Sequence, residues 1–182
     1  MRSKVKGQRS KPAPSSELRA LALASLGALL CAAPLQAQDE VGIKRGSVAP
    51  GAVLEKLDGS KVDLKDYISK GPVLIEFWAT WCPNCRQLEP SFHAASRKYA
   101  GKIRLLGVAV SVNQSVERVK AYAEKHQLPL EVLYDRRGYA SDAYEVPATS
   151  YVVIIDAKGK VVYTGVGGDQ DLDSAIRKAL GG

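Results

Sequence analysis

The stretch that most restricts this chain is Pro72 to Trp78, PVLIEFW, an apolar run broken only by Glu76 and followed almost at once by Cys82-Pro83-Asn84-Cys85. A continuous apolar run of that kind is what a central strand covered on both faces requires. Beyond Cys82 the spacing turns helical: Leu88, Phe92, Ala95 and Tyr99 recur on one side, Pro90 predicts a kink, and Gly101 closes the helix. A strand that feeds a helix through two cysteines places both thiols at a helix N-terminus. There, unpaired backbone N–H groups and the positive end of the dipole favour thiolate over thiol.

Ahead of this unit, Ala20 to Ala33 forms 14 uncharged residues, preceded by a basic stretch and followed by Pro34-Leu35-Gln36-Ala37. This is the grammar of a secretory signal peptide over residues 1–37, with Gln38 as the first mature residue. The run is short of the roughly 20 apolar residues a spanning helix needs, so an uncleaved anchor is the lesser reading. No twin arginine precedes it, which favours the general secretory route. The leader carries Arg2, Lys4, Lys6, Arg9, Lys11 and Arg19 against Glu17, so of the formal charge of +7 only +2 belongs to the remainder. A nucleic-acid partner inferred from basicity therefore fails. Removing 37 of the 182 residues leaves 145, one ordinary domain. With 46% hydrophobic and 25% charged residues the chain is neither disordered nor a multi-span membrane protein. Cys31 leaves with the leader, so Cys82 and Cys85 are the mature chain's cysteines. In an oxidising compartment such a pair is a redox couple or half of a metal site.

Residues 38–50 lack periodicity and, with Gly42, Gly46 and Pro50, read as a mobile linker into a domain over 51–182. Ala52 to Leu57 and Lys61 to Leu64 flank Asp58-Gly59, a hairpin signature. Ile103 to Val110 reads as a second buried strand and Val116 to Ala123 as part of a helix that stops before Pro129. Leu130 to Tyr134 is a short strand or extended segment, and Ser141 to Tyr144 a short helix. Tyr151 to Ile155 is a third apolar strand, turned at Asp156 to Gly159 into Lys160 to Thr164. A last amphipathic helix spans about Asp171 to Leu180. A parallel βαβ unit followed by an antiparallel ββα unit implies a three-layer α/β/α fold with a mixed central sheet.

The block Glu76-Phe77-Trp78-Ala79-Thr80-Trp81-Cys82-Pro83-Asn84-Cys85 resembles the thioredoxin-like proteins of the exported TlpA/ResA type, which share a WATWCPxC sequence. Pro90, the Asp-Gly hairpin and the closing ββα unit fit as well. The resemblance implies a thioredoxin fold with an N-terminal β-hairpin extension and a periplasmic thiol-disulfide oxidoreductase, with cytochrome c maturation among its family roles. Its redox centre would be the Cys82/Cys85 pair, with no separate cofactor. Its partners would be protein dithiols or disulfides and a membrane thiol donor of the DsbD/CcdA kind, and the chain would act as a monomer. Cys82 would be the nucleophile and Cys85, one turn further in and less exposed, the resolving thiol.

Glu76, six residues before Cys82, holds the place of the buried acid in thioredoxins, which would accept the proton of Cys85. A buried carboxyl has a raised pKa suited to that task. The alternative is a strand carboxylate paired with a lysine or water. Pro83 suits the first helical position. Pro83-Asn84 carries no charge, whereas strongly oxidising relatives place a cationic histidine there, so the pair leans towards a reductant. Trp78 reads as core and Trp81 as part of a docking surface. ResA-like members place a glutamate three residues after the second cysteine; here that residue is Leu88, with Glu89 expected to face elsewhere. His93 and His126 read as solvated helix residues.

The family's cis-proline, which faces the dithiol just before the third strand, falls on Ser150 when counted back from Asp156, with Pro147 three residues too early. A cis bond before a non-proline costs about 2.5 to 4 kcal/mol, which predicts a trans Thr149-Ser150 bond and a reshaped groove. Thr149 could still pair with an incoming peptide. The alternative is a shifted loop in which Pro147 serves. A second function, Cu(I) binding through both thiolates, is disfavoured by the lack of Met beyond Met1 and of His at ligand spacing. A peroxidase would need P-x-x-x-T-x-x-C, but Thr80 lies only two residues before Cys82.

Overall fold

The computed structural model describes residues 41–181. The leader, and with it the signal-peptide reading of 1–37, lies outside the described residues.

Around Asp58-Gly59 the chain reverses as expected. Strands β1 (Val53–Lys56) and β2 (Lys61–Asp63) pair antiparallel, and Gly59 takes φ 86°, a conformation that glycine adopts without steric cost. Helix α1 (Leu64–Ile68) follows directly, and no periodicity announces it. It is a single turn capped by Asp63, whose carboxylate accepts from the Lys65 N–H at 2.9 Å. Then come β3 (Val73–Trp78), α2 (Pro83–Lys98), β4 (Arg104–Val110) and α3 (Val116–His126). The chain closes with β5 (Glu131–Asp135), α4 (Tyr139–Ala143), β6 (Tyr151–Ile155), β7 (Val161–Val166) and α5 (Leu172–Ala179).

The strands form one mixed sheet in the order β2-β1-β5-β4-β3-β6-β7, with β3 parallel to β4 and antiparallel to β6. The segment left open between strand and extended chain is β5, which runs parallel to β4 and antiparallel to β1 and so joins the hairpin to the sheet. Alternation along the buried strands divides the core into two faces. Val73, Ile75 and Phe77 point towards α1 and α4, beside Leu106, Val108, Val153 and Tyr144. Leu74 points the other way, against Leu88 and Phe92 of α2 and Ile176 of α5. Trp78 lies on that second face among Ala109, Val119 and Tyr134. Helices thus cover both faces of the sheet, the three-layer α/β/α arrangement expected of a thioredoxin fold.

The segment read as a mobile linker is, over residues 41–50, laid against the body. Ile43 and Ala49 are buried. The Ile43 N–H donates to Tyr144 O at 3.1 Å, the Gly46 N–H to Val161 O at 2.7 Å and the Ala49 N–H to Gly159 O at 2.9 Å. Glycines and a proline suppress periodicity; beyond the local turn in which Ser47 donates to Lys44 O, the segment finds its partners at the end of α4, on the β6-β7 turn and at the start of β7.

Candidate active site

Cys82 caps α2. Its backbone is extended (φ −82°, ψ 114°), Pro83 occupies the first helical turn where a missing N–H costs nothing, and Arg97 and Lys98 lie in the last turn, at the negative end of the dipole. The Cys85 N–H donates to Cys82 Sγ at 3.1 Å, so the helix directs a backbone donor at that sulfur and not at Cys85. The two cysteines are joined by a disulfide with their Cα atoms 5.3 Å apart. The expected difference in exposure does not hold: Cys82 is 2% exposed and Cys85 5%. What distinguishes the sulfurs is the hydrogen bond. Pro83 and Asn84 are exposed beside them.

The turn before Cys82 is fastened to the loop after β4. The Thr80 N–H donates to Gln114 Oε1 at 2.8 Å, while the Gln114 amide donates to Val110 O and Tyr134 OH to Gln114 O. Trp81 donates from Nε1 to Val112 O at 2.8 Å and remains 40% exposed, presenting its ring beside the disulfide, whereas Trp78 is in the core. Gln114 escaped the sequence reading because a single polar residue in a loop has no pattern.

Glu76 sits inside the second face, 3% exposed, and its Oε1 has no hydrogen-bond partner among the described residues. Among the described residues no lysine pairs with it. Burial pushes its pKa well above the ordinary carboxyl value, and the nearby Glu89 charge pushes in the same direction. Glu89 does not face elsewhere: it lines one cavity with Glu76, Trp78 and Cys85, closed over by Leu128 and Pro129. Leu88, in the place of the relatives' glutamate, is core. His126 is not a freely solvated residue either. Its Nδ1 lies 3.0 Å from Glu89 Oε2, its ring stacks on Tyr122 at 3.9 Å, and Tyr122 OH donates to Glu89 Oε1 at 2.7 Å.

Ser150, not Pro147, directly precedes β6. It is fully buried at φ 65°, its N–H donates to Phe77 O at 2.9 Å and its hydroxyl to Gly167 O at 2.9 Å. Gln170 Nε2 donates to Ser150 O and to Gly167 O, locking the loop after β7 onto this residue. A proline here could neither reach this φ nor supply the N–H. Thr149 is half-buried and Pro147 exposed.

The sequence profile of the AhpC/TSA family matches residues 45–164. The chain is 37% identical over 123 residues to the thioredoxin-like protein YneN of Bacillus subtilis, covering 67% of this chain and 71% of that protein. It is 32% identical over 155 residues to the thiol-disulfide oxidoreductase ResA of Geobacillus thermodenitrificans, covering 84% and 86%. The crystal structure of a putative thiol:disulfide interchange protein DsbE from Chlorobium tepidum superposes with a TM-score of 0.64 at 30% identity, covering 76% of this chain and 99% of that one. With a disulfide at the head of α2 and relatives of this kind over most of its length, the chain belongs to the AhpC/TSA family and is a thioredoxin-like thiol-disulfide oxidoreductase.

Proposed function

We propose that the protein is an exported reductant of protein disulfides, working through Cys82 and Cys85 as its redox centre without a further cofactor. The observation that carries the roles is the Cys85 N–H aimed at Cys82 Sγ, which stabilises a thiolate on Cys82 in the reduced form. The Cys82 thiolate attacks one sulfur of a substrate disulfide, forming a mixed disulfide and releasing the other substrate sulfur as a thiolate. Cys85 then gives its proton to Glu76, attacks Cys82 Sγ, and releases the second substrate thiolate, so two electrons pass from the cysteine pair to the substrate. A membrane thiol donor restores the dithiol.

The substrate chain docks on the exposed Trp81, Pro83 and Asn84 and the half-buried Thr149. Ser150, expected to bind substrate, is fully buried with its N–H, hydroxyl and carbonyl engaged within the fold, and so supports that surface from beneath. The uncharged Asn84 supports the reducing direction, since it adds no cation to favour a stable dithiol. The leader supports export.

The test is trapping. The Cys85→Ser variant, expressed with its leader, accumulates mixed disulfides through Cys82 that dithiothreitol releases; their absence from cells overturns the assignment. The reduction potential of the pair fixes direction. A value near roughly −270 mV makes the protein a reductant, one near roughly −120 mV an oxidant. Absence of any reversible two-electron transition, with metal bound at one equivalent, would replace this reading with Cu(I) binding.

A further inference from the structure

If Glu76 takes the proton of Cys85, it must exchange that proton with bulk water in every cycle, yet it is buried beneath α2. Three features mark a route. The cavity shared by Glu76, Trp78, Cys85 and Glu89 has about 10 Å3 available to the centre of a water molecule, room for about one water. Two of its lining residues carry buried polar atoms without a hydrogen-bond partner among the described residues, Glu76 Oε1 and Trp78 Nε1, one an acceptor and one a donor. On its outer side Glu89 is fixed by Tyr122 OH and His126 Nδ1, and the side chains of Glu89 and His126 are 20% and 26% exposed.

We propose that one water, held by Glu76 Oε1, Trp78 Nε1 and the Glu89 carboxylate, carries protons between Glu76 and Glu89, and that the Glu89–His126 pair exchanges them with solvent. The inference rests on the assignment of Glu76 as proton partner of Cys85. In the oxidising half-cycle of the protein, the Cys85 proton passes to Glu76, across the water to Glu89, and through the imidazole to bulk. Re-reduction returns one proton by the same path. No electrons travel along it, since both leave through the sulfurs. The stacked Tyr122 ring fixes the imidazole against Glu89.

The titratable and charged groups around the route are Cys85, Arg86 and Glu89 from α2 and Tyr122 and His126 from α3. The strands beside Glu76 present only Gly107 and Val152 to it in register. Glu89 and His126 touch neither sulfur nor substrate and act through Glu76, as positioning residues for its proton.

Rapid reduction of the whole chain by dithiothreitol, followed by tryptophan fluorescence across the neutral pH range, tests the route in the wild type and in Glu76→Gln, Glu89→Gln and His126→Asn. Glu89→Gln and His126→Asn are each expected to slow closure or opening of the Cys82–Cys85 bond by at least about tenfold, with an altered pH profile. Added imidazole, a small proton carrier, should restore the rate. If Glu76→Gln slows the reaction while both other variants keep the wild-type rate and pH profile, the route is wrong and the role of Glu76 stands. A loss of rate that imidazole does not restore also overturns the route, since a packing defect would produce it. If Glu76→Gln itself changes nothing, the parent assignment falls and takes the route with it.

Discussion

Glu76 keeps its proton to a pH at which an exposed carboxyl has lost it, because the anion would be buried in the core, with Glu89 nearby and no donor on Oε1 among the described residues. That has a thermodynamic consequence. The unfolded chain releases this proton near pH 4.5, the folded chain only well above it, so the folded state binds more protons throughout that window. The resulting stabilisation is fully present below the unfolded value, declines as pH rises, and levels off once pH passes the folded value. Within the window the wild type should lose about 1.4 kcal/mol per pH unit relative to Glu76→Gln, which has no proton to release. Urea unfolding of both proteins at several pH values measures the difference; parallel curves would mean that the folded carboxyl titrates like an exposed one. Cys82 and Cys85 were legible because the helix start fixes their place after β3, Trp78 because it ends an uninterrupted apolar run, and Glu76 through the resemblance, which puts the family's buried acid six residues before Cys82. Glu89, Tyr122 and His126 were not, because they meet only when α3 packs over α2, which no local period encodes.

At the scale of elements, the site depends on what the strand next to β3 leaves out. Gly107 of β4 pairs with Glu76, and a Cβ built there would stand 2.9 Å from Trp78 Nε1 and 3.1 Å from a methyl of Leu130. The glycine therefore makes room for the Trp78 ring beside the cavity. Gly107→Ala is expected to destabilise the fold by about 1 to 3 kcal/mol through overpacking, and the displaced ring should change the near-ultraviolet dichroism. Unchanged stability and spectrum would show that the ring can yield freely. The hairpin, β3, α2 and α5 were readable because each carries its own signal: a turn dipeptide, an uninterrupted apolar run, a period near four. Helix α1, one turn capped by Asp63, is too short to show a period, and β5 could be recognised as a full strand only from its neighbours β1 and β4.

Across the whole molecule the sheet separates chemistry from support. The face under α2, α3 and α5 holds Glu76, the cavity and the disulfide, while the opposite face is an apolar layer in which Phe77, Tyr144 and Tyr151 meet at ring separations of 5.5 and 6.0 Å. Residues 41–50 belong to that supporting layer. The Ile43 N–H reaches Tyr144 O and Tyr151 OH, and Val48 bridges to Lys160, so the segment ties α4 to the β6-β7 turn. Tyr151 follows Ser150 and pairs with Phe77, which in turn accepts the Ser150 N–H, so this layer also sets the backbone of the proposed substrate groove. A linker that merely connected the leader to the domain would tolerate truncation of its side chains. Since Ile43 is buried in the core, Ile43→Ala should instead cost about 2 kcal/mol or more, read as a lower urea midpoint at unchanged slope. An unaffected midpoint would return the segment to the role of a free tether. A loss of stability accompanied by weaker substrate trapping in the Cys85→Ser background would place the segment's support, through Tyr151, at the groove itself.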